Sequence, residues 1–129
     1  MSVARSAGVF VGTDETTGVT IATTANSTSS EIDLLGNDTS EGWIQLYLKF
    51  TSTVTAGTMD VVLYPSRVTG QAYADSAPTV VSIAPINGTI KFYAGQFKVS
   101  RYMTAKVTNN ATGANATNVT LGYELFKES

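Results

Sequence analysis

Cysteine and histidine are both missing from this 129-residue chain. Without cysteine there is no disulfide framework and no thiolate metal site, so packing and backbone hydrogen bonds must hold the fold. Without histidine the chain lacks the side chain that most often serves as general base near neutral pH and as transition-metal ligand. Charge is scarce as well. Eight basic and ten acidic residues make up 14% of the chain and leave a net charge of -2, where an average globular protein is roughly 25% charged. The basic residues, Arg5, Lys49, Arg67, Lys91, Lys98, Arg101, Lys106 and Lys127, are scattered. A phosphate-binding surface needs them clustered, so nucleic acid is not an expected partner. No run of apolar residues is long enough to span a bilayer, and Met1 to Phe10 carries one arginine without an apolar stretch of signal-peptide length. The expectation is a chain made without a secretory signal and with no membrane span.

What the sequence has in abundance is threonine, with alanine, serine, valine and glycine behind it, a bias that suits a pleated sheet. The clearest alternation runs from Trp43 to Phe50. Ile44, Leu46, Leu48 and Phe50 fall on one face, and Trp43, Gln45, Tyr47 and Lys49 on the other. Met59 to Tyr64 repeats the pattern, and Pro65 should end it because proline has no amide hydrogen for a ladder. Val80 to Pro85 and Thr89 to Tyr93 flank Asn87-Gly88, the dipeptide of a tight hairpin. Phe97 to Thr108 and Asn118 to Phe126 are further strands, joined by the polar loop Asn109 to Asn115 into an expected C-terminal hairpin; the change of parity between Val99 and Arg101 marks a bulge or a join. Gly18 to Thr24 and Glu31 to Leu35 have the spacing of short strands, with a turn at Gly36-Asn37-Asp38.

Seven or eight short strands and no long helix indicate an all-β protein, a single antiparallel β-sandwich for which jelly-roll connections are one ordering. The expected division is an extended N-terminal arm over residues 1–17 and a sandwich domain over residues 18–129. The small and polar residues of the arm cannot build a core, but such a segment can order by adding to a neighbour's sheet. Val3, Arg5, Val9 and Phe10 are the side chains it offers. Trp43, Tyr47 and Tyr64 lead the second candidate surface, since the outward parity also carries Tyr93 and Tyr102, and aromatic residues favour interface cores.

Catalysis finds little support. No serine has a histidine partner, and no phosphate-binding glycine loop, nucleophile elbow or EF-hand occurs. The carboxylates sit mostly in predicted turns, the ordinary place for solvated ones, so a hydrolase with paired acids needs a cleft that brings two together. Gly36 to Glu41 gathers oxygens but lacks the spacing of a calcium loop. Six of the seven asparagines open an Asn-x-Ser/Thr triplet, which turn preference in a Thr-rich chain accounts for without glycosylation. No catalytic residue, metal or cofactor is expected.

The run Arg101-Tyr102-Met103-Thr104-Ala105-Lys106-Val107-Thr108-Asn109-Asn110-Ala111-Thr112-Gly113, followed by Val119-Thr120-Leu121-Gly122-Tyr123, resembles small β-sandwich virion proteins of tailed bacteriophages. In that family an alternating strand ending in Val-x-Asn leads through a Thr-Gly loop into a last strand that closes near a tyrosine. The likeness covers about the final third of the chain. It implies a capsid decoration or cement protein: a small oligomer, with a trimer favoured, that binds the major capsid protein or other virion proteins, carries no catalytic residues, and is made in the bacterial cytoplasm for incorporation into the virion. A carbohydrate- or receptor-binding module of a tail or fibre is the alternative, with Trp43 and the tyrosines as a stacking platform.

Overall fold

A computed structural model describes residues 3–36, 41–53, 56–71, 79–111 and 113–128. Asn37 to Ser40, most of the loop weighed above for calcium and for a turn, lie outside the described residues. Ten strands follow one another: β1 (Val3–Val11), β2 (Val19–Ile21), β3 (Asn26–Thr28), β4 (Ile32–Asp33), β5 (Gly42–Ser52), β6 (Met59–Ser66), β7 (Thr79–Ile83), β8 (Gly88–Lys98), β9 (Tyr102–Asn109) and β10 (Ala116–Glu128). They form two antiparallel five-stranded sheets. The first runs β1-β10-β5-β8 with β2 beside β10, and the second β3-β9-β6-β7 with β4 beside β9. Strands from the two halves of the chain thus interleave in both sheets, which is the jelly-roll form of the β-sandwich.

Alternation explains how the sheets meet. Along β5, Ile44, Leu46, Leu48 and Phe50 are at most 2% exposed while their neighbours stay half-buried or open. The facing sheet answers with Met59, Val61, Met103, Ala105 and Val107, and β10 adds Val119, Leu121 and Leu125. Area removed from water at about 25 cal/mol per Å² makes this layer the main stabilising term. Of the four buried polar side chains among the described residues, Ser52, Ser66, Asn109 and Thr120, the asparagine is fully enclosed and fully satisfied. Asn109 donates to the carbonyls of Ile21 (2.9 Å) and Ala114 (3.0 Å) and accepts from the Ala111 amide (3.0 Å). Its backbone amide donates to Ala25, and its carbonyl accepts from Thr24. The asparagine therefore ties β9, the β2–β3 corner and the β9–β10 connection together.

Three expectations change. Residues 3–11 are not an arm: β1 pairs antiparallel with β10 from Val3 opposite Glu128 to Val11 opposite Leu121. The small residues that suggested an arm are fitted to large ones across the ladder. Gly8 lies opposite Tyr123, and a Cβ added there would stand 2.5 Å from the Tyr123 hydroxyl, so the ring occupies the space a side chain would need. A bulge between Val9 and Val11 then turns both Phe10 and Val11 inward.

Neither expected hairpin forms. β7 and β8 belong to opposite sheets, as do β9 and β10. Alternating burial reads the same whether a strand returns beside its predecessor or crosses to the other layer, and only Gly88 of the Asn87-Gly88 pair takes a positive φ, 129°. A tight hairpin of that type needs both. The parity change near Val99 is the crossing from β8 to β9. Finally, β6 continues through Pro65 to Ser66. β7 pairs with β6 only over Met59 to Val62, so Pro65 has a ladder neighbour, Met103, on one side and can do without an amide hydrogen on the other.

Candidate functional site

The outer face of the first sheet takes its side chains from the alternate positions that the core leaves over. Cross-strand register puts Phe126 of β10 between Arg5 of β1 and Trp43 of β5. The Arg5 guanidinium lies 5.1 Å from the centre of the Phe126 ring and holds Glu124 at 2.7 Å. These residues make a strip at one end of the face.

Further along the same face, small residues on β1 and β10 stand beside large ones on β5 and β8, and the step between them forms a trough of about 470 Å³. Ala7 and Gly122 belong to its low side. Tyr47, opposite Gly122, and Tyr93, opposite Tyr47, form its high side, with ring centres 5.2 Å apart and planes tilted by 47°. Tyr93 is 55% exposed. The connection after β1 closes one end. Asp14 accepts from the amides of Thr16 and Thr17 and from the Thr16 hydroxyl, each at 2.7 Å, which folds the loop into an Asx turn. Lys49 of β5 donates to the Glu15 carbonyl at 3.1 Å and pulls that turn over the sheet. The Glu15 carboxylate then hangs above Gly122, where an added Cβ would lie 3.2 Å from its Oε1.

Electrostatically the trough is mixed. Glu15 and Glu124 face Lys49 and Lys91. Partial burial, with the Glu124 carboxylate nearby, raises the Tyr47 phenol above its ordinary value, and burial alone does the same for Tyr123. The hydrogen bonds of the Asx turn hold Asp14 below the usual carboxylate range. No group of three or more metal-ligating side chains converges among the described residues.

The sequence candidates separate. Arg5, Trp43 and Tyr47 share this face, and Val9, half-buried, lies opposite Gly122 on β1. Val3 is placed at the end of the β1–β10 ladder. Phe10 is withdrawn as a surface residue: it is 7% exposed, with its ring 4.8 Å from that of Tyr123, because the bulge turns it into the core. Tyr64 lies on the second sheet, opposite Thr104, with the Lys106 ammonium 5.7 Å from its ring centre. Glu15, Gly122 and Lys91 were not singled out. A lone glycine between Leu121 and Tyr123 in an alternating strand does signal a close approach, and Asp14-x-Thr16 signals the turn, but nothing in the sequence says that the two meet.

No protein-family model and no curated protein matches the chain. Among solved structures, the pilus protein of Bacillus endospore appendages is 13% identical with a TM-score of 0.42, over 99% of this chain and 90% of the other. The Yersinia pseudotuberculosis-derived mitogen is 17% identical with a TM-score of 0.34, over 98% and 84%. The K1 cleaved adhesin domain of Lys-gingipain from Porphyromonas gingivalis W83 is 10% identical with a TM-score of 0.40, over 95% and 72%. None of the three is a phage decoration protein. At these scores the likeness is one of small β-folds in general.

Proposed function

We propose that this chain is a non-enzymatic structural protein of a bacteriophage virion, a decoration or cement protein that docks on the capsid lattice. The observation that carries the reading is the strip of Arg5, Phe126 and Trp43 on the outer face of the first sheet. Tryptophan, arginine and a second aromatic ring on neighbouring strands are the composition of an interface hot spot, where a few residues supply most of the binding energy. The low charge of the chain and the resemblance of residues 101–123 to phage virion proteins support the same reading.

In it the major capsid protein is the partner, copies of the chain associate as a small oligomer with a trimer favoured, and the protein is made in the bacterial cytoplasm and ends in the virion. The test is co-sedimentation of the purified chain with empty shells of the phage that encodes it, alongside light scattering for the oligomer. Docking should be saturable, and Trp43→Ala should weaken it by about 2 kcal/mol, roughly thirtyfold. Failure to bind any shell sinks the proposal.

A further inference from the structure

We propose that the trough bordered by Tyr47, Tyr93 and Glu15 is a binding site for a neutral oligosaccharide, a site separate from the Trp43 strip. Its size falls within the range of small-molecule sites, about 300–1,000 Å³. Its walls select the ligand by chemistry. Tyr47 and Tyr93, 5.2 Å apart and tilted to each other, offer two ring surfaces against which the C–H face of a sugar can pack. The opposite side is low because Gly122 has no side chain, and a Cβ there would crowd the Glu15 carboxylate.

Three polar groups around the trough are left without a hydrogen bond or ion pair among the described residues: the Glu15 carboxylate, the Lys91 ammonium and the Tyr93 hydroxyl. A carboxylate only accepts hydrogen bonds, an ammonium only donates them, and a phenol does both. A polyol can satisfy all three at once, because each of its hydroxyls donates and accepts. Charge argues for neutrality. The lining carries two carboxylates, Glu15 and Glu124, and two ammonium groups, Lys49 and Lys91, so neither sign of charge dominates the trough and singles out an anionic or a cationic ligand. The turn built on Asp14 and fixed by Lys49 sets Glu15 in place before any ligand arrives, which lowers the ordering cost of binding.

The experiment is a titration of the full chain with neutral oligomers of glucose, galactose and N-acetylglucosamine, followed by calorimetry and NMR, with sialylated and sulfated oligomers as anionic arms. Saturable binding of a neutral oligomer is expected. It should weaken at least tenfold in Tyr93→Ala and severalfold in Glu15→Gln, while Tyr64→Ala on the other sheet leaves it unchanged. If thermal melting shows that Tyr93→Ala does not fold, Lys91→Ala replaces it and should weaken binding severalfold. Binding of anionic oligomers alone overturns the proposal. So does an absence of saturable binding by every neutral oligomer, or undiminished binding in the folded trough variants. No shell protein is present in the titration, so its failure leaves capsid docking standing, and failed docking leaves the sugar site standing.

Discussion

The two outer faces of the sandwich are built from the same alternation yet finish differently. On the second sheet the polar groups are largely used up locally. Asp60 accepts from Ser82 (2.6 Å), Asn110 (2.6 Å) and Thr58 (3.2 Å), Asp33 is paired with Arg101, and Lys106 and Arg101 lie over the rings of Tyr64 and Tyr102. On the first sheet the aromatic rings stand beside a trough whose Glu15, Lys91 and Tyr93 are not so engaged. A face that answers its own polar groups has little left for a partner, whereas one that does not can offer them to another molecule. Substitutions on the second sheet should therefore be felt as stability, and those on the first as binding.

The largest single effect should fall on the frame that both faces share. Asn109→Ala removes three side-chain hydrogen bonds from a fully buried site and leaves the Ala111 amide and two carbonyls without this partner, at a cost of about 3 kcal/mol. Urea denaturation should show the midpoint falling with little change in slope. A loss of stability no greater than that of a surface substitution would remove Asn109 from its role as the tie between the sheets. Trp43→Ala comes next, with the thirtyfold weakening of docking given above and a smaller change in melting temperature. Were the melting temperature to collapse instead, the contrast between the faces would be lost.

Tyr64→Ala is the mirror experiment. It gives up a half-buried ring and a cation contact, about 1 kcal/mol, and should leave both shell docking and sugar titration as they were. The smallest effect expected is with pH. The Arg101 guanidinium and the Gly36 amide hold the Asp33 carboxyl below its ordinary value despite an opposing push from desolvation. A depressed folded pKa stabilises the fold above the unfolded value, about 3.9 for aspartate, and that contribution is lost as pH falls through the folded pKa. Asp33→Asn should flatten the acid limb of a stability-pH curve below about pH 4, slightly, because the pair is exposed to solvent screening.

Much of the fold could be read from residues 43–50 and 59–64, whose period of two fixed both strands and their buried sides. Topology could not, because the alternation of Met103, Ala105 and Val107 is identical in a hairpin and in a strand that crosses to the other sheet. The site was half legible. Trp43, Tyr47 and Tyr93 could be placed on an outer face by parity alone, but Glu15 reaches them only because the connection after β1 folds back across β10, a contact set by three dimensions. The arm was misread for a related reason: Gly8 looks featureless until the Tyr123 ring is laid on it.

The pairing of β1 with β10 also orders events in time. Val3 lies opposite Glu128 and Ala7 opposite Glu124, so β1 leaves the ribosome well before the strand it pairs with. The first sheet cannot be completed until β10 has been made. At a synthesis rate of about 5–20 residues per second, β1 waits on the order of ten seconds for its partner, and closing contacts so distant in sequence is itself slow. A strand kept waiting is safest when it is poor in large apolar side chains and carries a charge, since exposed apolar strands aggregate. Ala4, Arg5, Ser6, Ala7 and Gly8 meet that need, and the sandwich closes only when β10 slides between β1 and β5.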